Sequence, residues 1–333
     1  MKAIGITEYG GPEKLSFLDV PEPQPGPRDL VVRVHAAGVN PVDAKVRSGL
    51  RRGMPLEGPL VVGWDGSGVV EAAGPECRRF RPGDEVFFAG DVARPGCHAE
   101  KVAVDERIVG RKPRNLTHAE SAAIPLTAIT AWEALLENMG VPESDTPGGA
   151  TLLVVGGGGG VGAIAIQIAK VVCGLHVVAT ASRSESRAFC QKFHADSVID
   201  HTEDLKAQTD ALGLDGYDYV LSAADTSNLA AVVQVLNPLG RICYILPAHG
   251  PLDLTELFMK RASLSFEMMF TRPLLDVEPE RQGAILDRVA GLLEAGVLRT
   301  TLTRTLDWSH FGEAHRQIET GHTTGKIVLE IPV

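Results

Sequence analysis

Hydrophobic and polar positions follow a regular alternation in the second half of the chain. Short apolar runs rich in β-branched residues alternate with segments whose apolar positions recur at i, i+3, i+4 and i+7. The runs predict the strands Thr151–Val155, His176–Ala181, Ser197–Ile199, Tyr217–Ser222 and Arg241–Leu246, with Leu264–Met268 as a sixth, edge strand. The spaced segments predict the helices Val161–Val172, Glu185–Phe193, Leu205–Leu212 and Asn228–Leu236. Strands separated by helices in this way predict an α/β domain with a doubly wound parallel sheet.

The parts of the chain outside this alternation have a different pattern. The first 125 residues carry short strand-like runs, Leu30–Ala36, Gly68–Ala72 and Asp84–Phe88, separated by turns that contain proline and glycine. Such punctuation predicts a small, partly open β-barrel. The chain closes with a predicted helix, Gln282–Ala295, and a strand, Lys326–Ile331, which spacing alone assigns to either domain.

The segment between the two patterns is predicted to be an interrupted helix. Thr117 and Glu120 have the spacing of a capping box, which predicts a helix start. Pro125 is expected to break this helix, and Ala128–Leu136 to resume it. We expect the hinge between the two domains here.

A glycine-rich turn lies between the first predicted strand of the alternating region and its helix. Gly157, Gly159 and Gly162 match G-x-G-x-x-G, and Gly160 and Val161 complete the turn and open the helix. In this context the first glycine permits a tight turn, the second lets a pyrophosphate approach the backbone, and the third lets helix and strand pack closely. Strongly apolar, periodic flanks argue against a flexible linker. The sequence therefore predicts a dinucleotide site at this turn.

The residues after the second strand of the alternating region predict which dinucleotide binds. An NAD site has Asp or Glu at this position for the ribose 2′-OH, and here no acid precedes Glu185. Ser182 and Arg183 instead offer a hydroxyl and a guanidinium for a 2′-phosphate, with Arg187 as a further candidate. The pattern therefore predicts NADPH, although Arg183 could also be an ordinary surface arginine.

Composition narrows the class of protein. The 333 residues are 44% hydrophobic and 22% charged, with a net charge of −10. The acidic balance argues against nucleic acid as the main partner, and no apolar run is long enough to span a membrane. Five scattered cysteines without C-x-x-C spacing indicate reduced thiols. These features predict a cytoplasmic protein that binds neither nucleic acid nor membrane.

Several motifs, in order, carry a resemblance to a known family. They are the segments 39–43 (VNPVD), 47–49 (RSG), 63–68 (GWDGSG), 82–86 (PGDEV), 126–128 (LTA), the glycine motif and 325–329 (GKIVL). The chain resembles the medium-chain dehydrogenases/reductases, in the branch of quinone oxidoreductases and zinc-type alcohol dehydrogenase-like proteins. The resemblance implies a GroES-like catalytic domain, residues 1–125 completed by 271–333, and a Rossmann NADP-binding domain, residues 126–270. It also implies a cleft between them.

The resemblance implies roles for three further residues. Asn40 and Thr127, candidate catalytic residues, match family positions near the nicotinamide end of the cofactor, where either could hydrogen-bond its carboxamide or a substrate carbonyl. Lys326 matches a basic residue that reaches the cofactor phosphates, although an exposed lysine before a strand is an alternative. Asp43 is a candidate catalytic residue, although a local turn-stabilising role is an alternative. The family often has a tyrosine where this chain has Val46, which removes an expected proton donor. We therefore expect protonation by water.

The zinc-dependent branch differs from this chain at its metal ligands. A cysteine, a histidine and another cysteine stand there where this chain has Asn40, Trp64 and the segment Pro125-Leu126. Neither tryptophan nor proline can ligate zinc, and asparagine is a poor ligand. Cys97-His98, with His35 or Cys77, is the remaining metal candidate. The sequence therefore predicts no bound metal.

The loss of zinc favours an acceptor that is already electrophilic. The leading hypothesis is an NADPH-dependent reductase that delivers hydride to a quinone or an α,β-unsaturated carbonyl. The alternatives are a zinc-dependent alcohol dehydrogenase with an unusual site, and a non-enzymatic NADPH-binding or RNA-binding module. An exposed sixth strand would favour a homodimer joined edge to edge.

Overall fold

The computed structural model describes residues 1–49, 56, 58–144, 146 and 148–332. The chain divides into two units, Met1–Leu126 with Phe270–Val333, and Thr127–Met269. The strands are β1 (Lys2–Ile6), β2 (Ser16–Asp19), β3 (Asp29–Val39), β4 (Leu60–Val61), β5 (Gly66–Ala73), β6 (Glu85–Phe88), β7 (Lys101–Asp105), β8 (Val109–Arg111), β9 (Thr151–Val155), β10 (His176–Thr180), β11 (Ser197–Ile199), β12 (Tyr217–Ser222), β13 (Leu236–Tyr244), β14 (Ser263–Phe266), β15 (Leu302–Asp307) and β16 (Lys326–Glu330).

The helices complete the two units. They are α1 (Pro41–Arg47), α2 (His118–Ala122), α3 (Pro125–Trp132), α4 (Gly160–Val171), α5 (Ser184–Lys192), α6 (Leu205–Ala211), α7 (Leu229–Val235), α8 (Thr255–Met259), α9 (Thr271–Leu275), α10 (Glu280–Glu294) and α11 (Phe311–Glu319). A π-helix, Glu133–Asn138, extends α3. Within the described ranges, no helix is both long and apolar enough to cross a membrane.

The second unit is built on a six-stranded sheet of order β11-β10-β9-β12-β13-β14. Every neighbouring pair is parallel, so the predicted doubly wound sheet is confirmed. The predicted start of the fifth strand was wrong. β13 begins at Leu236, which pairs with Tyr217 before the register shifts and pairing resumes at Arg241. All five residues of β9 are buried, as a strand covered on both faces requires.

The first unit contains two antiparallel-rich sheets. Strands β2, β1 and β4 form one, and the other follows the order β15-β16-β3-β5-β6-β8, with β7 also paired to β3. The short strands predicted for this part of the chain are therefore present and paired. β16 pairs antiparallel with β3, which places the closing strand in the first unit.

The helical expectations outside the alternating region were partly wrong. The capping box of Thr117 and Glu120 starts α2 as predicted, since the Glu120 N–H donates to Thr117 Oγ1 at 3.2 Å. The helix is interrupted between Ala122 and Pro125, close to the predicted point, but it resumes at Pro125 rather than at Ala128, because the first turn needs no proline N–H. Residues 40–43, expected to form a turn, begin α1, and β15 and α11 form in segments for which no element was predicted.

Candidate functional site

The glycine turn of the second unit is fixed by the end of the neighbouring strand β10. Gly156 follows β9 with a φ of +83°, a conformation that glycine adopts readily. Its N–H donates to Thr180 Oγ1 at 3.0 Å, and the Gly157 N–H donates to the Thr180 carbonyl at 3.0 Å. Thr180 is the last residue of β10, which pairs with β9. The carboxyl ends of two central strands therefore hold the turn.

The three motif glycines differ in what surrounds them. A Cβ on Gly157 would lie 2.7 Å from Ala179 Cβ, and one on Gly162 would lie 2.4 Å from the Gly156 carbonyl oxygen. Both positions are therefore closed by neighbouring groups. A Cβ on Gly159 would meet only the Gly156 oxygen, at an ordinary 3.5 Å. The space beside Gly159 is thus open, as the close approach of a pyrophosphate to the backbone requires.

Helix α4 starts at this open position. Gly159 is its N-cap, and the helix runs for 12 residues from Gly160. The N–H groups of its first turn, including those of Gly160, Val161 and Gly162, have no acceptor within the helix. They are available to an anion, and the helix dipole favours negative charge there. These residues fit the phosphates of a dinucleotide.

The three candidates for the adenosine end differ in how they are engaged. Ser182 is exposed, and Arg183 is a partly exposed N-cap residue of α5. Among the described residues, none forms a hydrogen bond or ion pair with the Arg183 side chain. Arg187 donates to the Ala181 carbonyl at 3.0 Å and to the Val198 carbonyl at 2.7 Å. Arg183 thus has a guanidinium available to a ligand, whereas two guanidinium nitrogens of Arg187 bind the ends of two strands.

A second polar cluster, in the first unit, is assembled by strand register. In the antiparallel pair of β16 and β3, Ile327 lies opposite Val39, so Lys326 comes beside Asn40. On the other side of β3, Ala37 lies opposite Gly66, which brings Asp65 to the same end of the strand. Three residues distant in the sequence therefore meet where β3 ends.

The contacts among these residues form a closed network. The Lys326 ammonium donates to Asn40 Oδ1, to Asp65 Oδ2 at 3.0 Å and to the Val39 carbonyl at 3.2 Å. The Asn40 amide in turn donates to Asp65 Oδ2 at 3.0 Å. The side chains of Lys326 and Asp65 are 4% and 0% exposed. We call these contacts the Lys326 network, a hydrogen-bonded ion pair that is almost completely removed from solvent.

Asp43 lies next to this network in the first turn of α1. It accepts the Asn40 backbone N–H at 2.7 Å, which is the local stabilising role expected from the sequence, although in a helix cap rather than a turn. Asp43 is completely buried. Burial raises the pKa of its carboxyl to about 7, although the Asn40 N–H and the Lys326 ammonium act in the opposite direction. The site therefore contains a carboxyl that titrates near neutral pH.

The remaining metal candidates from the sequence contact different groups. Cys97 Sγ donates to the Asp65 carbonyl at 3.2 Å, and His98 Nε2 lies 3.3 Å from the Gly38 carbonyl oxygen. Cys77 donates to the Asp29 carbonyl, whereas His35 stacks on His118 with ring centroids 4.3 Å apart. Burial raises the pKa of the Cys97 thiol and lowers the pKa of His98 to about 4. Over the ranges that the structure describes, no three His, Cys, Asp or Glu side chains are grouped to hold a metal.

Sequence reasoning assigned no role to two residues that organise these sites. Asp65 lies in the segment GWDGSG, where a carboxylate in an apolar stretch signals a buried partner. Thr180 ends an apolar strand, and only the structure shows that its hydroxyl holds the glycine turn. Thr127 is buried in α3 and belongs to the second unit, whereas Asn40 and Lys326 belong to the first.

Comparisons with known proteins place both units in one family. Residues 26–114 match the alcohol dehydrogenase GroES-like domain, and residues 193–329 match the zinc-binding dehydrogenase family. A zinc-type alcohol dehydrogenase-like protein of Staphylococcus aureus is 34% identical, over 99% of this chain and 100% of that protein.

Two solved structures are similar over the whole length. The quinone oxidoreductase from Coxiella burnetii is 27% identical with a TM-score of 0.82, over 100% of this chain and 99% of that one. A mycobacterial protein whose structure is a complex with NADPH is 27% identical with a TM-score of 0.85, over 99% of this chain and 100% of that one.

The residues of this chain do not fit the zinc that these family names suggest. By the family resemblance, Asn40 and Trp64 stand where the zinc-dependent branch has a cysteine and a histidine. The Asn40 amide is engaged by Lys326 and Asp65, and the Trp64 indole N–H donates to the Asp91 carbonyl at 2.8 Å. An ammonium also lies against the oxygens that a cation there would use, so a second cation would be repelled.

The two-unit fold, the glycine turn and the full-length similarity lead to one assignment. The first unit is a GroES-like domain, and the second carries the strand–turn–helix of a dinucleotide-binding fold. A relative at 34% identity spans nearly the whole chain. The chain therefore belongs to the medium-chain dehydrogenase/reductase superfamily of oxidoreductases.

Proposed function

We propose that the protein is an NADPH-dependent reductase that delivers hydride to a quinone or an α,β-unsaturated carbonyl without catalytic zinc. The observation that carries this proposal is the available Arg183 guanidinium, at the end of a strand where an NAD site would have an acid. Two similar proteins support this proposal. One is the mycobacterial protein whose structure contains NADPH, and the other is the quinone oxidoreductase from Coxiella burnetii.

The second unit would hold the cofactor. N–H groups of Gly160, Val161 and Gly162 would donate to the pyrophosphate, for which Gly159 leaves open space. Arg183 would pair with the 2′-phosphate, and Ser182 would donate a hydroxyl hydrogen bond. Arg187 would act indirectly, by binding the carbonyls of Ala181 and Val198. When bound, NADPH supplies the hydride.

The first unit and the start of α3 would orient the reacting groups. Asn40 and Thr127 would position the nicotinamide end, directly or through neighbours. The acceptor gains a hydride and a proton, so a quinone becomes a hydroquinone, and water supplies the proton. Asp43 is a further candidate for exchanging a proton, because its carboxyl titrates near neutral pH. No Lewis acid is needed, since a quinone or enone is already electrophilic.

The test is NADPH oxidation by the purified protein with quinones, enones and aldehydes, each with and without a chelator. We expect turnover with quinones or enones that a chelator leaves unchanged, and weak activity with NADH. Activity that disappears with the chelator and returns with zinc would favour a zinc-dependent alcohol dehydrogenase. Tight NADPH binding without turnover of any acceptor would favour a non-enzymatic binding module.

We also infer a homodimer, joined through the edge strand of the second unit. β14 is the last strand of its sheet, so one side of its backbone has no neighbouring strand within the described part of the sheet. Large apolar side chains near this edge are exposed, namely Phe258, Met259, Phe266 and Met268. A two-fold axis at such an edge would continue the sheet and cover these side chains.

A further inference from the structure

The Lys326 ammonium uses its whole donor capacity inside the first unit. An ammonium has three N–H donors, and three oxygens accept from this one, namely Val39 O, Asn40 Oδ1 and Asp65 Oδ2. The side chain is 4% exposed. A lysine that contacts phosphates needs at least one donor directed towards solvent. This geometry does not match the phosphate role that the family resemblance implies.

The same contacts fix the orientation of the Asn40 amide. Its Oδ1 accepts from the ammonium and its Nδ2 donates to Asp65, so the oxygen and nitrogen cannot be exchanged without losing both hydrogen bonds. Lys326 thereby determines which side of the Asn40 amide presents the oxygen and which presents the nitrogen.

The network also reaches the start of α3. Asp65 Oδ1 accepts the Leu126 N–H at 2.9 Å, in the first turn of α3, while Asp65 Oδ2 accepts from Lys326. A carboxylate at a helix N-terminus is favourable for both hydrogen bonding and the dipole. Thr127 is the next residue of the helix. Lys326 therefore holds the carboxylate that binds the first turn of α3, and Thr127 is part of this helix.

We propose that Lys326 is a positioning residue, a tethered cation that holds Asn40 directly and the start of α3 through Asp65. This inference rests on the proposed function, because Asn40 and Thr127 are the residues assigned there to the nicotinamide end. It makes Lys326 a determinant of turnover rather than of phosphate binding. The covalently attached charge balances a buried carboxylate without a metal.

The test is a double-mutant cycle of Lys326→Met, Asp65→Asn and the combined variant. Three quantities are measured for each protein: the melting temperature, the Kd for NADPH, and kcat with the best acceptor. Lys112→Met is the matched control. Lys112 is another buried lysine of the first unit, whose ammonium donates to the Leu116 carbonyl at 2.7 Å. Its removal should lower stability but leave kcat unchanged.

We expect the melting temperature and kcat to fall, while the Kd for NADPH stays nearly unchanged. Lys326→Met should lower the melting temperature by about 10 °C, because it leaves Asp65 buried without its cation. The combined variant should recover most of this loss, since neither charge remains. In both variants kcat should fall about 100-fold through misplaced groups, and the Kd for NADPH should change by less than about threefold.

A change in NADPH binding without a change in kcat would overturn the proposal. A Kd for NADPH raised about tenfold or more with kcat unchanged, and effects that add to those of Asp65→Asn, would assign Lys326 to the phosphates. If Lys326→Met does not fold, the combined variant is compared with the wild-type protein. A wild-type kcat in the combined variant would refute a positioning role for Lys326. If the wild-type protein reduces no acceptor, the proposed function fails, but the melting temperatures and Kd values still test the coupling of Lys326 and Asp65.

Discussion

Replacing Gly159 by valine should remove cofactor binding and leave the fold intact. Gly159 has φ −79° and ψ 172°, an extended backbone that valine adopts without strain, and its Cβ would have open space. The cost to folding is that of a poor N-cap residue, about 1 kcal/mol. The isopropyl group would occupy the space beside the helix N-terminus. Loss of two charge-assisted hydrogen bonds at about 1.5–3 kcal/mol each should lower the affinity for NADPH by a factor of about 100 or more.

Gly162→Ala should instead lower the stability of the fold, while the space beside Gly159 stays open to the cofactor. Its methyl group would lie 2.4 Å from the Gly156 carbonyl oxygen and 2.7 Å from Gly157 Cα, both backbone atoms. Overpacking of this kind costs about 1–3 kcal/mol, and each kcal/mol lowers the melting temperature by about 2–4 °C. Gly291→Ala is the control, because a Cβ there meets no atom within 4 Å.

The assay combines thermal melts of the cofactor-free proteins with fluorescence titration of NADPH. The melting temperature of Gly159→Val should fall by no more than about 4 °C, and added NADPH should no longer raise it. A folded Gly159→Val protein with wild-type affinity for NADPH would refute the assignment of this turn to the pyrophosphate.

Three further predictions concern the second unit. Arg183→Ala should weaken NADPH about 10- to 100-fold and leave NADH unchanged, and equal losses in parallel titrations would instead indicate a folding role. Burial and the nearby Glu133 carboxyl raise the pKa of Glu267 to about 9. The folded state therefore binds the extra proton, and stability falls as pH rises towards 9. Glu267→Gln should raise the melting temperature at pH 8 but not near pH 4.5, and equal shifts at both would contradict this. Met268→Asp should convert the dimer to a monomer by light scattering, unlike Leu275→Asp, which also replaces an exposed apolar residue.

Local sequence patterns predicted the second unit well because its strands and helices are set by nearby residues. Ser197–Ile199 and Tyr217–Ser222 form the expected strands without any shift in their ends. The glycine turn was recognised for the same reason, since its strand, turn and helix are contiguous. The start of β13 was misplaced because Leu236 pairs before the register shift, a tertiary effect that propensity does not report.

The Lys326 network could not be predicted from such patterns. Lys326 and Asn40 are 286 positions apart, and only the register of β16 against β3 brings them together. From the sequence, a lysine before a strand looks like a surface residue. Likewise Asn40-Pro41 looked like a turn, because nothing local shows that the following residues pack as a helix. The charge balance of Asp43 and Asp65 depends on burial, which is a property of the whole first unit.

The discontinuous first unit has a consequence for synthesis on the ribosome. Residues 127–269, the second unit, leave the ribosome as one uninterrupted stretch and can fold before synthesis of the chain is finished. Asp65 emerges early, but its ammonium partner follows 261 residues later. At about 5–20 residues per second, the carboxylate waits on the order of 10–50 s for its cation. During that interval Asp65 stays hydrated, so the β3 end of the barrel closes only after β16 has been made.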